Sequence, residues 1–592
     1  MSEDNSSPTE DTSLLIRPID TKILDTTSGV EGFVADEVEQ AEREIQRQQP
    51  HKTYTTDLER QISATDSTEV EEEPLSVTKT RIVIASMYVG IFLAALDSTI
   101  VTTLVTHISS EFNSLEKLPW IATSYLLSST TCQPLYGKIS DIFGRRCVLI
   151  FCNLTFMIGC FLCAIAPTVD WLIFGRLVSG IGGAGLTSLS SITTSDLIPL
   201  KERGIYQGLG NVNFGVGTAT GALIGGLFAS TPALGGWRGA FWVQVPISLA
   251  SLVSIYLLLH LPKNSIGYGS NEDVCGKLQS IDWLGSFTLV SFLLLFLFGS
   301  SLGGKEIPFD SLTFKLIVIG TVLLLYAFIK AELAAKNPIL PVRFMTIPTV
   351  VGVSLSNFFL SMSTFTLFFM VPVYFSAVLN LDARQIGDRF APNFLSTISG
   401  SLGAGLYMKR TGKYRQMIIL ASFISVAGVY RVVCLSPSYT VFEQYILFIC
   451  PGIGGSIVIT ATLLALIAAV PHKHQAATTS ISYLFRSCGS TLGVSVGSAI
   501  FNWKLSSELL DRVLQFQGEK YDRAFLLDIV EHAIHSTEYV HAGAPEFVRQ
   551  ALVDSFSAAA KLTFQFCLAS TVFALASVFL IKEHVLHGSI KR

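Results

Sequence analysis

The sequence predicts an all-α, polytopic membrane protein with fourteen transmembrane helices. Of its 592 residues, 50% are hydrophobic and only 15% are charged, which is more apolar surface than one soluble core of this length buries. Apolar stretches of about 20 residues also recur along the chain, and a helix of that length crosses a hydrocarbon core of about 30 Å. Lipid is therefore the expected solvent for most of the chain.

We count fourteen such stretches after a polar N-terminal segment. They lie at approximately 82–105, 118–137, 147–167, 169–191, 205–229, 239–261, 282–303, 312–333, 347–375, 391–408, 416–436, 442–470, 477–501 and 558–581. Because the number is even, both termini are expected on the same side of the membrane.

Basic residues are concentrated in alternate short loops, and such loops face the cytosol in most membrane proteins. The loops after the even-numbered stretches carry Lys138, Arg145, Arg146, Lys201, Arg203, Lys263, Lys277, Lys336, Arg343, Lys409, Arg410, Lys413, Arg415 and Lys473. The opposite loops carry chiefly Lys117, Arg238, Lys305, Arg384 and Arg389. We therefore expect both termini in the cytosol. The long segment 502–557 would then form a small cap on the lumenal side.

Composition and a weak internal repeat divide the chain into four segments. Residues 1–79 hold 19 acidic and 7 basic side chains and few apolar ones, so we expect a disordered, acidic cytosolic tail. The loop GKISDIFGRR, between the second and third stretches, has an echo in GLYMKRTGKYR, between the tenth and eleventh. Counting from this repeat, we expect a six-helix half at 80–262, an inserted helix pair with linkers at 263–346, and a second six-helix half at 347–592.

Asp97 lies within the first apolar stretch, where an ionisable side chain costs about 2.5–3.5 kcal/mol and needs a partner or a function. With a rise of ~1.5 Å per residue, Asp97 and Arg176 lie at similar depths, about 12 and 10 Å from the non-cytosolic face. An ion pair or a shared aqueous cavity is therefore possible. Asp97 would alternately bind and release a proton, or bind a cationic substrate. The alternative is a purely structural ion pair with Arg176.

Two further charged residues lie in the second half. Arg486, in the thirteenth stretch, is the corresponding intramembrane cation, and Glu443, near the lumenal start of the twelfth stretch, is a candidate carboxylate. For Glu443 the alternative is an interfacial side chain that reaches the lipid headgroups. We find no pattern typical of a metal site, a cofactor, a nucleic-acid contact or an enzyme nucleophile.

Four glycines recur in the fifth stretch, at Gly217, Gly221, Gly225 and Gly226. Spacings of four place the first three on one helix face, where another backbone can approach closely. The pattern predicts a helix-packing seam.

The loop GKISDIFGRR contains Gly137, Asp141, Gly144, Arg145 and Arg146. Asp141 lies among basic residues at the ends of two helices, where it would cap a neighbouring helix or form an ion pair across the halves. An ion pair across the halves would act as a latch for one conformation. The simpler interpretation, that the basic residues only fix the topology, is compatible with both.

Together these segments resemble the major facilitator superfamily, specifically its fungal fourteen-span drug:proton antiporter branch. GKISDIFGRR resembles the loop motif between helices two and three, LIFGRLVSGIGG (172–183) the fourth-helix motif, and LDSTIV (96–101) the first-helix motif of this branch. The resemblance implies roles in proton transfer for Asp97 and Arg176. GTATGALIGG (217–226) is similar to the fifth-helix antiporter motif, with Ala222 in place of the usual proline.

Within this branch, the stretch from Trp120 to Arg145 most resembles the fungal vacuolar basic amino acid transporters. The resemblance implies that lysine, arginine and histidine move from the cytosol into an acidic vacuole in exchange for protons. In the tail, Glu10, Leu14 and Leu15 match an acidic dileucine signal, which would bind a sorting adaptor.

Two other functions remain open. A plasma-membrane exporter of drugs or siderophores would share every motif above, and a nutrient receptor that does not transport would use the acidic tail to recruit partners. For a transporter we expect alternating access around a midplane cavity lined by the first, fourth and fifth helices and their counterparts in the second half.

Overall fold

The computed structural model describes residues 77–112, 118–231, 235–259, 268–269, 273–303, 307–308, 310–335, 337–340, 342–381, 383–471, 474–517, 522–535 and 539–584. The predicted sorting residues Glu10, Leu14 and Leu15, like most of the predicted tail, lie outside these ranges. The first helix begins at Val77, so residues 77–79 start this helix instead of ending the tail.

Fourteen helices of 19 residues or more occur in the described part of the chain. They are α1 (Val77–Phe112), α2 (Leu118–Phe143), α3 (Arg145–Ala164), α4 (Val169–Leu197), α5 (Leu200–Ser230), α6 (Gly236–Leu258), α7 (Trp283–Leu302), α8 (Leu312–Ala334), α9 (Pro348–Ala377), α10 (Ala383–Thr411), α11 (Arg415–Val433), α12 (Ile449–Ala468), α13 (Gln475–Val513) and α14 (Glu546–Val578). Short helices at Val274–Gln279 and Val441–Tyr445 precede α7 and α12.

Ten helical segments in the described ranges are long and apolar enough to cross a membrane. The four long helices that fall short are α2, α5, α10 and α13, which carry more polar and charged side chains. The predicted count of fourteen crossings therefore stays a prediction.

Local sequence signals explain where several helices begin. The hydroxyl of Thr168 accepts a hydrogen bond from the amide of Trp171 at 3.3 Å, which caps α4. Asp282 and Ser311 cap α7 and α8 in the same way. The break between α2 and α3 falls at Gly144, whose φ of 92° lies in the left-handed region that glycine adopts without strain.

The helix pairings of α1–α6, here called the first bundle, recur in α9–α14, here called the second bundle. In the first bundle α1 packs on α5, α2 on α4, and α3 on both α4 and α6. In the second bundle α9 packs on α13, α10 on α12, and α11 on both α12 and α14. Each pairing is thus repeated eight helices later, with α7 and α8 between the two sets.

The bundles meet mainly along two helix pairs, α5 with α10 and α2 with α13, and α5 also contacts α12. At the crossing of α5 and α10, Gly204 lies against Gly405 and Gly208 against Ser401, backbone to backbone.

The inserted pair lies at the side of this boundary. Helix α7 packs on α8 and also contacts α2 and α13. Much of α8 faces outward, with apolar side chains such as Leu316, Ile319 and Leu323 exposed. This outer surface is suited to contact with lipid.

The segment predicted as a lumenal cap at 502–557 is largely helical and extends the second bundle. Helix α13 continues to Val513, short helices follow at Arg523–His535 and Tyr539–Ala542, and α14 already begins at Glu546. One hydrophobic cluster joins these helices to α9. It contains Leu509 of α13, Ile529 of the short helix Arg523–His535 and Leu552 of α14, all fully or almost fully buried. Helices α13 and α14 therefore extend beyond the predicted apolar stretches 477–501 and 558–581.

Candidate functional site

A cavity of about 440 Å³ lies between the two bundles. It is lined by α5 of the first bundle and by residues from α9 to α14 of the second. The lining residues of α10 and α12 extend from mid-depth toward the end opposite the predicted cytosolic end of these helices. Helices α1 and α4 contribute none of the described lining residues, so the expectation that they line the cavity is wrong for this conformation.

Aromatic rings form much of the cavity wall. Phe368, Phe390 and Phe448 come from α9, α10 and the start of α12, and the rings of Phe390 and Phe448 have centroids 4.6 Å apart. The ring of Phe368 lies 6.1 Å from each of the other two. The side chains of Asn211 and Asn393 and several hydroxyls supply hydrogen-bonding groups. This combination of apolar wall and few polar groups is typical of a small-molecule site.

Arg486 of α13 is the one charged residue among the described residues that line the cavity. It lies 11 residues from the start of α13, at a depth of about 17 Å along the helix. The sequence had identified this side chain as an intramembrane cation. The structure adds that it faces the cavity.

Asp97 and Arg176 are brought together inside the first bundle. Nη1 of Arg176 donates to Oδ2 of Asp97 at 2.5 Å, and both side chains are buried, with 0% exposure for Asp97 and 1% for Arg176. The guanidinium also lies 4.4 Å from the ring centroid of Tyr125 on α2. In the low dielectric of the interior, the Coulomb attraction between the two charges is much stronger than at a protein surface.

Asp97 does not line the cavity and is closed off from solvent in this conformation. Its second oxygen, Oδ1, is buried and has no hydrogen-bond partner within the described residues. The side-chain amide of Gln244, on α6, lies near this carboxyl and donates to the carbonyl oxygen of Ala240 at 3.2 Å. In this buried carboxylate, one oxygen is therefore paired with Arg176, and the other accepts no hydrogen bond from the described residues.

The residues of the GKISDIFGRR loop form a compact charge cluster. Arg145 is buried and contacts Asp141 at 2.6 Å and Asp196, at the end of α4, at 2.9 Å. Nη1 of Arg145 also donates to the Ser140 hydroxyl. Arg146 donates to the carbonyl oxygen of Tyr256 at 2.6 Å. This cluster joins the ends of α2, α3, α4 and α6.

Asp141 therefore pairs within its own bundle, and the expected ion pair across the halves is not what this conformation contains. The reason is proximity, because Arg145 lies four residues after Asp141 and is held between two carboxylates. Gly137 is the loop-motif residue that touches the other bundle, since its Cα lies against Ala476 and Ser480 of α13.

Side chains that the sequence did not single out connect the bundles. Lys409 pairs with Glu202 at 2.9 Å, and Arg203 donates to Gln475 at 3.2 Å, both at the predicted cytosolic end. Deeper in the protein, Asn211 donates to the hydroxyl of Thr460 at 3.0 Å. These contacts close the boundary on the side of the cavity nearest the predicted cytosolic end. Only knowledge of the bundle boundary would have identified them.

Glu443 does not line the cavity. Its carboxylate accepts hydrogen bonds from the backbone amide and the hydroxyl of Thr440, both at 2.8 Å, and completes a capping box for the short helix before α12. The candidate role of Glu443 in proton or substrate binding is therefore replaced by helix capping.

The glycine-rich face of α5 packs on α1 at two of the four predicted positions. The Cα atoms of Gly217 and Gly221 lie against the backbone of Phe92 and Leu96, respectively. Gly225 is buried, while Gly226 is exposed and has open space around it.

Substituting Gly221 with alanine is expected to lower the free energy of unfolding by about 1–3 kcal/mol, because the added methyl group would overlap the Leu96 carbonyl and the Thr99 side chain. Gly226→Ala is the matched control, with an expected change within about 0.5 kcal/mol. Apparent melting temperatures of the purified variants in detergent measure both effects. Equal losses at the two positions would contradict the contact between α5 and α1.

Comparison with known proteins identifies the family. Residues 87–494 match the sequence family described as Major Facilitator Superfamily. The chain belongs to this superfamily. It is therefore a transporter of the major facilitator type and an integral membrane protein.

Its similarity to other major facilitator proteins extends over most of the chain. It is 34% identical to Multidrug resistance protein fnx1 of Schizosaccharomyces pombe, over 88% of this chain and 96% of that protein. It is 33% identical to Vacuolar membrane amino acid uptake transporter fnx2 of the same organism, over 86% and 84%. It is 32% identical to Vacuolar basic amino acid transporter 1 of Saccharomyces cerevisiae, over 72% and 79%.

Among solved structures, the proton:xylose symporter XylE aligns with a TM-score of 0.55 at 14% identity, over 86% of this chain and 98% of that one. At this identity the likeness concerns the fold alone. It agrees with the predicted major facilitator fold.

Proposed function

We propose that this transporter moves basic amino acids, namely lysine, arginine and histidine, from the cytosol into the vacuole in exchange for lumenal protons. The observation that carries the proposal is the cavity between the bundles, where aromatic rings, amide side chains and one arginine surround a volume of about 440 Å³. A basic amino acid offers matching chemistry, with a carboxylate and an ammonium at one end and a side chain at the other that combines apolar surface with a basic group.

Two relatives support the choice of cargo and membrane. One is named a vacuolar membrane amino acid uptake transporter and another a vacuolar basic amino acid transporter. No acidic side chain occurs among the described cavity-lining residues, so the side-chain cation of a basic amino acid would contact ring faces such as those of Phe390 and Phe448.

Proton coupling is proposed for the Asp97–Arg176 pair. Protonation of Asp97 would remove its negative charge and leave the buried guanidinium of Arg176 without a counter-ion, which is costly in a low-dielectric interior. Arg176 and Asp97 would then separate, changing the packing of α1 against α4. Because Asp97 lies outside the cavity, coupling by this route acts through helix positions, and the proton and the substrate occupy different sites.

The proposal predicts uptake of labelled lysine by vacuolar vesicles from a fungal strain that lacks its own basic amino acid uptake and expresses this protein. With ATP present, the proton pump acidifies the lumen, and we expect lysine uptake that stops when a protonophore collapses the gradient. Uptake that persists without the gradient would contradict proton exchange. Absence of uptake by well-expressed protein in the vacuolar membrane would contradict the substrate.

A second candidate function is export of apolar drugs. It is favoured by the aromatic wall of the cavity and by the similarity to Multidrug resistance protein fnx1. A competition experiment tests this second function. Apolar drugs would inhibit lysine uptake at low concentration only if they bind in the same cavity as lysine.

A further inference from the structure

We infer that Arg486 binds the free carboxylate of the transported molecule, so that a carboxylate is required for recognition. The inference rests on the proposed function, because it assumes that the cavity holds the cargo. It begins from the position of Arg486, which lies deep in the protein yet remains partly accessible because its side chain borders the cavity.

Arg486 differs from the four buried arginines among the described residues of the bundles. Arg203 and Arg389 each donate a hydrogen bond to a glutamine side chain. Arg145 has two carboxylate partners, and Arg176 has one. Within the described residues, Arg486 makes neither an ion pair nor a hydrogen bond, and no carboxylate lies close to it.

A guanidinium in such a place carries a charge that the protein leaves uncompensated. Removing a cation from water without a counter-ion is unfavourable, and a nearby anion offsets that cost. Arginine stays protonated at all physiological pH values, so the charge persists through every step of transport. The planar fork of N–H groups also matches the two oxygens of a carboxylate, which allows two parallel hydrogen bonds.

The rest of the cavity offers no competing anion site and no acidic partner within the described lining. A substrate carboxylate on Arg486 would place the remainder of the molecule among the rings and amides contributed by α5, α9, α10 and α12. Binding then begins at the carboxylate, and side-chain preference is set by the aromatic wall. Molecules with the same side chain but no carboxylate should bind poorly.

The test compares lysine with two analogues. Cadaverine has its two ammonium groups separated by the same number of carbons as in lysine but lacks the carboxylate, and in lysinamide an uncharged amide replaces the carboxylate. Full-length protein in proteoliposomes with an imposed pH gradient takes up labelled lysine, and each compound competes. We expect half-inhibition by cadaverine and lysinamide at concentrations about 100-fold above that of unlabelled lysine, the ratio for losing one buried charged pair. Equal inhibition by the three compounds would overturn the inference.

Arg486→Gln provides the second arm. We expect the KM for lysine to rise about 100-fold and the preference for lysine over cadaverine to disappear. Arg486→Lys, which retains charge without the fork, should show an intermediate KM. Arg389→Gln is the matched control, because Arg389 is buried in α10, donates to Gln444 at 2.7 Å and does not line the cavity. The preference of the Arg389→Gln variant for lysine over cadaverine should be unchanged.

Ligand-induced thermal shifts keep the test independent of transport. Lysine should raise the apparent melting temperature of the wild type and of Arg389→Gln, whereas cadaverine should not, and Arg486→Gln should respond to neither. If Arg486→Gln retains the lysine shift, the inference fails while amino acid transport stands. If wild-type protein neither takes up nor is stabilised by any amino acid tested, the proposed function fails with it.

Discussion

Replacing Asp97 with asparagine is expected to lower the free energy of unfolding by about 3–5 kcal/mol and to abolish gradient-driven lysine uptake. The substitution removes the counter-ion of Arg176, whose side chain is 1% exposed, and leaves a buried guanidinium facing neutral groups. The apparent melting temperature of the purified variant measures the first effect, and vesicle uptake measures the second.

The double variant Asp97→Asn/Arg176→Gln separates stability from coupling. Removing both charges eliminates the unpaired cation, so most of the lost stability should return. If the pair serves proton coupling, the double variant should be stable yet unable to drive uptake from a pH gradient. Gradient-driven uptake by the stable double variant would show that the pair is structural, which is the alternative that the sequence left open.

Arg145→Gln is expected to be comparably destabilising, by about 3–5 kcal/mol, because it leaves Asp141 and Asp196 close together without their shared cation. Arg146→Gln is the matched control. Its guanidinium is less buried and donates one hydrogen bond to Tyr256, so a loss of about 1 kcal/mol is expected. Melting temperatures of the two variants in the same detergent provide the comparison.

The Arg145 cluster also makes a prediction about conformation. Because its ion pairs lie within the first bundle, losing them should loosen the ends of α2 to α4 without directly breaking the contact between Lys409 and Glu202. A melting temperature unchanged by Arg145→Gln would contradict the ion pairs seen here.

The sequence predicted the parts of the structure that depend on hydropathy and on isolated charges. Long apolar stretches indicated the helices, and single charged residues within them indicated Asp97, Arg176 and Arg486. It placed the end of the thirteenth span at residue 501, whereas α13 continues to Val513. Beyond the apolar stretch, Glu508 pairs with Lys504 and Arg512 at i,i−4 and i,i+4, which favours continuing the helix in a polar setting.

Glu443 shows a signal that was readable from the sequence. Thr440 and Glu443 are separated by the spacing of a capping box, and the structure contains that box. A position at the lumenal start of an apolar stretch suggested a candidate carboxylate or an interfacial side chain, but the local pattern of threonine and glutamate gives the better explanation.

The cavity wall was not readable in the same way. Phe368, Phe390 and Phe448 come from three different helices, and the chain contains 40 phenylalanines, so no local pattern distinguishes these three. Likewise, the sequence left open whether Asp97 lines an aqueous cavity or only pairs with Arg176, because depth along a helix does not show which way a side chain points. Both facts depend on how the bundles are arranged.

The glycine crossing of α5 and α10 has a mechanical consequence. The backbones of Gly204 and Gly405 are in contact, so α5 and α10 approach each other closely there, and this crossing can serve as the pivot of a tilt. Phe390 lies 15 residues from Gly405, about 22 Å along α10, so a tilt of about 10° displaces it by roughly 4 Å. Lys409 is four residues from the same point and moves by only about 1 Å. A small tilt of α10 can thus shift the aromatic wall of the cavity at Phe390 while the ion pair between Lys409 and Glu202 stays intact.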